Sequence, residues 1–551
     1  MTDVASVLPL LAVLLPALAI PLILASGSRP NVREGWTALA GVGTFAVVLA
    51  MVQSPDTPVT TLGSYLGVEL ALRADAAGLL FALLASTLWL ATSLYSVGYM
   101  RGLDEGDQTR YFAAFAASIS ATMGVALAAD LLSLFVFYEL LTLATYPLVV
   151  HAGDAASKAA GRRYLAYTLG GGVLVFGGLV LVGALAGTVT LAAGGIAGLA
   201  TADPNLARAA FALLVAGFGV KAAVVPLHAW LPAAMVAPTP VSGLLHAVAV
   251  VKSGAFGVTR AVLYVFGPET ASDLGLATAL AVFAAATMIL AGVVGVRQDN
   301  LKRGLAFSTI SQLSYIVLGV ALLTPLAAFG ALLHVVAHAF MKITLFFVAG
   351  LAYVETGEKY VSDLAGVGRR LPVAMTAFAI AAAGLVGFPL VAGFVSKFHL
   401  VLGAADSANP WFVAAFLAAG LLKLMYFWPV VYTAFYGGRD DGTDAGDHPF
   451  APSHHEPTTD GGDDGGGTGT SVPAATDGGQ ETVATAEADD GVASARDGVS
   501  GRFAPVAGLE TSPALLVPVL FTVGMAVVLG VVPTALPFWE LAETAVAEVF
   551  N

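Results

Sequence analysis

Residues 217–235, GFGVKAAVVPLHAWLPAAM, decide how the rest of the chain is read. The run is apolar enough to sit in a membrane, yet it carries Lys221 five residues before Pro226. Proline removes a rung of the helical hydrogen-bond ladder and clashes with the preceding turn. Inside a membrane such a break survives only where neighbouring protein satisfies the freed backbone groups. A lysine at the bilayer centre costs about 2.5–3.5 kcal/mol on insertion scales. Residues 381–400, AAAGLVGFPLVAGFVSKFHL, have the same design, with Lys397 following Gly384, Gly387, Pro389 and Gly393. The two stretches predict two interrupted spanning helices, each holding a buried amine at its break.

The surrounding sequence fits that setting. The chain has 551 residues, of which 58% are hydrophobic and 11% charged, whereas a soluble domain is about 45–50% apolar and about 25% charged. Apolar runs near the length of a bilayer-crossing helix recur throughout. They predict an all-α integral membrane protein with 14 spans: 5–25, 34–53, 76–98, 111–129, 131–150, 163–186, 208–230, 240–266, 275–296, 303–323, 327–353, 372–402, 411–436 and 513–533. The N-terminus lacks a basic n-region, so residues 5–25 read as a first span and not a cleaved signal. The broken spans are the seventh and the twelfth. An odd offset of five spans reverses direction, so spans 4–8 (111–266) and 9–13 (275–436) read as two inverted five-helix repeats. Residues 1–110 precede them with three helices, and 506–551 follow with one.

Charge is unevenly spread. The formal net charge is −13, and residues 439–502 alone carry 14 acidic against three basic side chains. That Gly-, Asp- and Thr-rich stretch has almost no large apolar residues and reads as an acidic disordered loop over 437–505, a composition suited to high salt. Its His448, His454 and His455 read as solvated loop histidines. Basic residues accumulate in alternate loops: Arg29, Arg33, Arg101, Arg110, Lys158, Arg162, Arg163, Arg297, Lys302, Arg303, Lys359, Arg369 and Arg370. The opposite loops hold Arg73 and Arg208, with Arg260 near a helix end. The positive-inside rule then puts both termini outside and the acidic loop in the cytoplasm. With no cysteine in the chain, thiol catalysis, disulfides and iron–sulfur or Cys–zinc sites are excluded. No cofactor, no metal and no nucleic-acid partner is expected.

Five of the eight lysines fall inside spans: Lys221, Lys252, Lys342, Lys397 and Lys423. All 16 arginines read as lying in loops or near helix ends. A buried lysine can release its proton and an arginine effectively cannot, so this division suits proton transfer. Snorkelling to the interface is the plainer account for Lys423 and Lys342. It fits Lys221 and Lys252 poorly. Glu139, deep in LLSLFVFYELLTLATYPLVV (131–150), needs a partner, and a membrane lysine is the natural one. Asp75 and Asp130, at helix ends, read as caps or interface residues. His334, His338 and Lys342, spaced i, i+4, i+8, share one helix face, and neutral imidazole can both accept and donate a proton. The same spacing can bind zinc, but no carboxylate sits between the histidines to suit it. His228 and His246 are weaker candidates.

FVFYELLTLATYPLV (135–149), GVKAAVVPLHAWLPAAMVAPTPVSGLLHAVAVVKSGAFGV (219–258), DNLKRGLAFSTISQLSYI (299–316), HVVAHAFMKITLFFVAG (334–350) and GFPLVAGFVSKF (387–398) together resemble the antiporter-like proton-channel family. That family includes large membrane subunits of respiratory complex I, of membrane-bound hydrogenases and of Mrp-type Na⁺/H⁺ antiporters. The resemblance implies a proton path through Glu139, Lys221, Lys252, His334, His338, Lys342 and Lys397, with Lys423 a weaker member and Lys221 paired to Glu139. It implies partners: other membrane subunits, protons, Na⁺ and the lipid bilayer. GFVSKF is similar to the D-type Mrp subunit and to some complex I subunits. The expected function is therefore that of one subunit in a Mrp-type monovalent cation/proton antiporter, the alternative a membrane-arm subunit of a complex I-like or hydrogenase enzyme. The acidic loop departs from the usual pattern of the family.

Overall fold

The computed structural model describes residues 2–65, 67–438 and 509–551. The acidic loop expected at 437–505 and its three histidines lie outside the described residues, apart from the few at its margins.

Helices account for nearly all of the described chain. In order they are α1 (Leu8–Ala25), α2 (Pro30–Val52), α3 (Ala76–Gly102), α4 (Gln108–Leu127), α5 (Leu131–Val149), α6 (Ala155–Ala186), α7 (Pro204–Lys221), α8 (Thr239–Asp273), α9 (Leu276–Val296), α10 (Leu301–Ala321), α11 (Pro325–Thr356), α12 (Pro372–Val386), α13 (Ala392–Ala405), α14 (Phe412–Tyr436), α15 (Pro513–Val531) and α16 (Phe538–Phe550). Side-chain caps set several starts. Asp75 accepts the Gly78 amide at 2.8 Å, Asp130 the Ser133 amide at 2.7 Å, Asp154 the Ser157 amide at 2.6 Å and Asn300 the Arg303 amide at 3.1 Å. Each satisfies an amide that the first helical turn leaves free.

Twelve of these helices are long and apolar enough to cross a membrane. The seventh and twelfth expected spans are the two absent from that set, because both are broken. The helix expected over 208–230 ends at Lys221, and Ala223 takes a positive φ of 57°. The span expected over 372–402 divides into α12 and α13, with Gly387 at φ 115° and Leu390 at φ 70° between them. Glycines let neighbouring chain approach both breaks. A Cβ on Gly254 of α8 would overlap the Ala222 nitrogen, and one on Gly393 would overlap the Gly384 carbonyl.

α8, α10 and α11 form the interior of the bundle, while α1, α2, α6 and α14 each leave a broad apolar face uncovered. α8 is bent at Ala249 (φ −105°, ψ −79°) and at Gly267 (φ 74°, ψ 160°), with π-helical turns at Leu244–Val248 and Ala261–Phe266. The helical fold expected is found, with two additions. A three-stranded sheet, β1 (Asp3–Ala5) parallel to β2 (Thr57–Tyr65) and β2 antiparallel to β3 (Val68–Arg73), closes one end of the bundle. The single helix expected after the acidic loop is followed by a second, amphipathic one, α16, whose Phe538, Leu541, Ala545 and Val549 are buried.

Candidate proton path

α11 supplies three of the expected groups to the interior: His334, His338 and Lys342 are all fully buried. The helical repeat stacks the two imidazoles, with ring centroids 6.2 Å apart and planes 25° apart. Lys252 of α8 reaches across, its Nζ 2.6 Å from His338 Nδ1. On the other side, His334 Nε2 meets Gln312 Oε1 of α10 at 2.8 Å, and His334 Nδ1 meets Ser396 Oγ of α13 at 2.9 Å. Gln312 Nε2 donates to the Leu385 carbonyl at 2.9 Å, and that carbonyl also accepts from Lys397 Nζ. Lys252, His338, His334 and Lys397 thus form one buried series: the first pair is hydrogen-bonded directly, the two histidines stack, and His334 is linked to Lys397 through the Gln312 side chain and the Leu385 carbonyl.

The break in the twelfth span explains where Lys397 points. The last carbonyls of a helix have no partner within it and carry the negative end of its dipole. Lys397, on α13, turns back to the end of α12 and donates to Leu385 and Val386, the latter at 3.0 Å. Its ammonium also lies 4.9 Å from the centre of the Tyr315 ring, and Lys423 lies 4.0 Å from the same ring. Lys423 is fully buried, so the snorkelling account fails for it. It fails equally for Lys342, which donates to Ser308 Oγ and to the Leu305 carbonyl at 3.3 Å.

The other break places Lys221 at the last residue of α7, where its Nζ donates to the Tyr138 carbonyl and lies 3.3 Å from the centre of the Tyr138 ring. Glu139 neighbours it in α5, half-buried, with its carboxylate over Gly172 of α6, where a Cβ would overlap it. The expected direct Glu139–Lys221 pair is not made. No ion pair joins them within 4.0 Å among the described residues, and Glu139 Oε1 has no hydrogen-bond partner. The backbone carbonyl one residue earlier holds the ammonium instead. Nor does a hydrogen bond join Lys221 to Lys252. His246 is fully buried with both ring nitrogens unpartnered, and His228 has an unpartnered Nδ1.

Asp75 and Asp130 are caps, as expected. Arg260 corrects the reading that arginines avoid the interior. It is fully buried in α8, pairs with Asp75 at 2.7 Å and lies between the Phe256 and Tyr264 rings at 4.8 and 4.4 Å. Its expected position near a helix end holds, since Arg260 is the last residue of the α-helical stretch Val250–Arg260 and the helical backbone breaks at Gly267 (φ 74°, ψ 160°). Lys302 is likewise part of α10, where its Nζ donates to the Ala237 carbonyl at 2.6 Å. It lines a cavity of about 350 Å³ with Tyr99, Glu105, Arg303, Tyr353 and Lys359. Burial pushes the Glu105 carboxyl, in the α3–α4 loop, above its ordinary range, and Lys302 opposes that rise.

Gln312, Ser308, Ser396, Tyr138 and Tyr315 were not singled out in the sequence. The signal for Ser308 and Gln312 was present, since they stand four residues apart on α10 and so share the face turned to α11.

Residues 128–422 match the family described as NADH:quinone oxidoreductase/Mrp antiporter, TM. NADH-quinone oxidoreductase subunit N of Desulforudis audaxviator is 34% identical over 388 residues, covering 70% of this chain and 76% of that protein. A probable K(+)/H(+) antiporter subunit of Rhizobium meliloti is 33% identical over 387 residues, covering 68% of this chain but only 37% of that protein. Two solved structures share the fold. One is a chain of the Mrp complex from Dietzia sp. DQ12-45-1b (TM-score 0.77, 24% identity, 99% of this chain and 97% of that one). The other is a chain of an archaeal membrane-bound sulfane sulfur reductase (TM-score 0.78, 21% identity, 99% and 98%).

Proposed function

We propose, for a chain that belongs to the NADH:quinone oxidoreductase/Mrp antiporter transmembrane family, that it is the proton-translocating subunit of a multi-subunit Mrp-type Na⁺/H⁺ antiporter. The observation that carries this reading is the buried series Lys252–His338–His334–Lys397. It consists of groups that can take up and release protons, in an interior where a fixed charge would be costly. Lys342 and Lys423 branch from the series, and Lys221 with Glu139 forms its other end. No chemistry beyond proton transfer is assigned to these side chains, and the partners are other membrane subunits of the same complex.

Spans 4–8 and 9–13 act in this reading as two inverted half-channels. Lys221 over the Tyr138 ring and Lys397 over the Tyr315 ring support it, since each lysine stands at a break and each tyrosine is two spans before it. Both termini face outside and the acidic loop faces the cytoplasm.

A second reading is favoured by the extent of one match. The quinone-oxidoreductase relative is matched over 76% of its length, the antiporter relative over 37%. In that reading the same path serves a redox-driven complex. Inside-out vesicles from cells expressing the chain with its neighbouring subunits separate the two. Antiport predicts a collapse of an imposed ΔpH on adding Na⁺ with no electron donor, lost in Glu139→Gln and Lys221→Ala. Proton pumping only on addition of a quinone-reducing substrate would replace the antiporter reading with the second.

A further inference from the structure

We infer that Gln312 is a positioning residue that locks His334 in its Nε2–H tautomer, so that His334 exchanges protons only at Nδ1, the edge that meets the Ser396 hydroxyl. The inference rests on the proton path proposed above and adds a direction to one of its members.

A backbone carbonyl can only accept a hydrogen bond. The Leu385 carbonyl receives a Gln312 side-chain atom at 2.9 Å, so that atom is the amide NH₂. Oxygen and nitrogen of an amide are otherwise assigned from their hydrogen-bond partners, and here one partner fixes both. The remaining Gln312 atom, 2.8 Å from His334 Nε2, is therefore Oε1, which can only accept. His334 Nε2 must then carry a hydrogen. In the neutral ring Nδ1 is left as an acceptor, and its partner is the Ser396 hydroxyl at 2.9 Å. All four residues are held in place: Gln312, His334 and Leu385 have no exposed surface and Ser396 has 1%.

An amide takes up no proton at physiological pH, so the Gln312 edge of the ring is closed to transfer. The Ser396 edge is open in both states. An incoming proton bonds to Ser396 Oγ as the hydroxyl's own proton moves to Nδ1, leaving a neutral hydroxyl and an imidazolium. The hydroxyl then accepts from Nδ1–H and can turn its hydrogen to the Gly393 carbonyl, 3.3 Å away. Gln312 Oε1 accepts from Nε2–H before and after. The donor proposed on this side is Lys397, next to Ser396 in sequence and bonded to the Leu385 and Val386 carbonyls, whose ammonium would leave those carbonyls to reach Ser396 Oγ and become an amine on giving up its proton. Onward passage leaves from the same Nδ1–H once it turns from Ser396: His338 takes the proton at its unpartnered Nε2 and gives its Nδ1 proton to the Lys252 amine.

The test uses the full chain in native membranes, labelled with ¹⁵N-histidine, with the His334 signals identified by their loss in His334→Gln. The wild-type spectrum should show His334 as the Nε2–H tautomer. Gln312→Met keeps the side-chain volume and removes both hydrogen bonds, a change that cores tolerate well. It should give a mixture of tautomers and slow transport by about a hundredfold, the lower end of what a positioned proton-transfer group contributes. An Nδ1–H tautomer in the wild type would overturn the lock even if the variant fails to assemble, and wild-type transport by Gln312→Met would overturn its role. If the wild-type tautomer is as expected while His334→Gln transports normally, the lock stands and the path through His334 falls.

Discussion

Lysine and arginine occupy different kinds of site in this interior. The fully buried arginine, Arg260, is matched by a carboxylate at 2.7 Å and held between two aromatic rings. The buried lysines meet carbonyls, a hydroxyl, an imidazole and ring faces, and none of them forms an ion pair within 4.0 Å among the described residues. A fixed charge is thus neutralised where it stands, and each lysine can lose its charge without stranding a partner. Two predictions follow this division. Asp75→Asn leaves the Arg260 charge buried and unpaired, a kind of loss measured at about 3–5 kcal/mol. The unfolding midpoint of the purified chain in detergent should fall, and Asp75→Asn with Arg260→Met should recover much of it. An unchanged midpoint in the single variant would show that the pair contributes nothing. Lys252→Arg keeps a charge beside His338 but offers a group with a pKa above about 12. A proton crossing 100 mV releases about 2.3 kcal/mol, and removing one from arginine at neutral pH requires about 1.4 kcal/mol for each unit of pKa. Over five units or so the demand exceeds the drive several-fold. Vesicle transport by Lys252→Arg should therefore be as poor as by Lys252→Ala at matched protein levels. Wild-type rates in the arginine variant would make Lys252 a fixed counter-charge.

Helix breaks are where the elements turn from scaffold to site. α7 and α12 end on carbonyls that the helix cannot satisfy, and glycines on neighbouring helices let side chains and backbone close around those ends. Gly254 of α8 lies against the α7 break so closely that a Cβ would meet the Ala222 nitrogen and the Lys221 carbonyl carbon. Gly254→Ala should push α8 away from Lys221 and cost about 1–3 kcal/mol, the range for overpacking. Gly170→Ala, which meets nothing within 4 Å, is the control. Midpoints in detergent and transport rates read the two together, and equal behaviour of both variants would remove the packing argument. Most of this architecture was legible in the sequence. Pro226, Pro389 and Gly387 mark both breaks, and Asp75 and Asp130 mark helix starts, because backbone chemistry at those positions is local. The sheet was not legible. β2, TPVTTLGSY, has no apolar–polar alternation and is exposed over its last five residues, and its parallel partner β1 lies more than 50 residues away, a pairing no local pattern encodes. The same limit hid Gln312. Its place on a polar face of α10 could be read from spacing, but its role depends on the Leu385 carbonyl, which is free only because α12 stops there. The direct Glu139–Lys221 pair failed for a related reason: charge type predicts attraction, while the nearest acceptor was a backbone carbonyl of Tyr138.

At the scale of the whole molecule the charge is divided between a nearly neutral bundle and one acidic stretch. Of the net −13, residues 439–502 carry −11 and the rest of the chain −2. The uneven division has a physical basis. Charge inside the bundle is costly unless paired or able to neutralise itself, while a stretch with almost no large apolar residues has no such cost to meet, and net charge favours solubility. The proposed path runs through α5, α7, α8, α10, α11, α13 and α14, and every residue assigned to it lies from Glu139 to Lys423, before the acidic stretch begins. Deleting residues 443–500 removes 12 acidic side chains and one basic one, which takes the formal net charge from −13 to −2. The stretch offers almost no large apolar residues for packing, so the deletion should leave the rate of transport in vesicles within about twofold of wild type, since surface changes away from packed features rarely exceed about 0.5 kcal/mol. Solubility of the purified chain should fall as its net charge approaches zero. Electrostatic contributions from so many like charges are screened within about 8 Å at physiological ionic strength. If the stretch nevertheless acted on the path through its field, the deletion would change transport at low salt and the difference would fade as salt is added. Loss of the assembled complex after the deletion, with the chain still inserted, would instead make the stretch a docking element for a partner subunit.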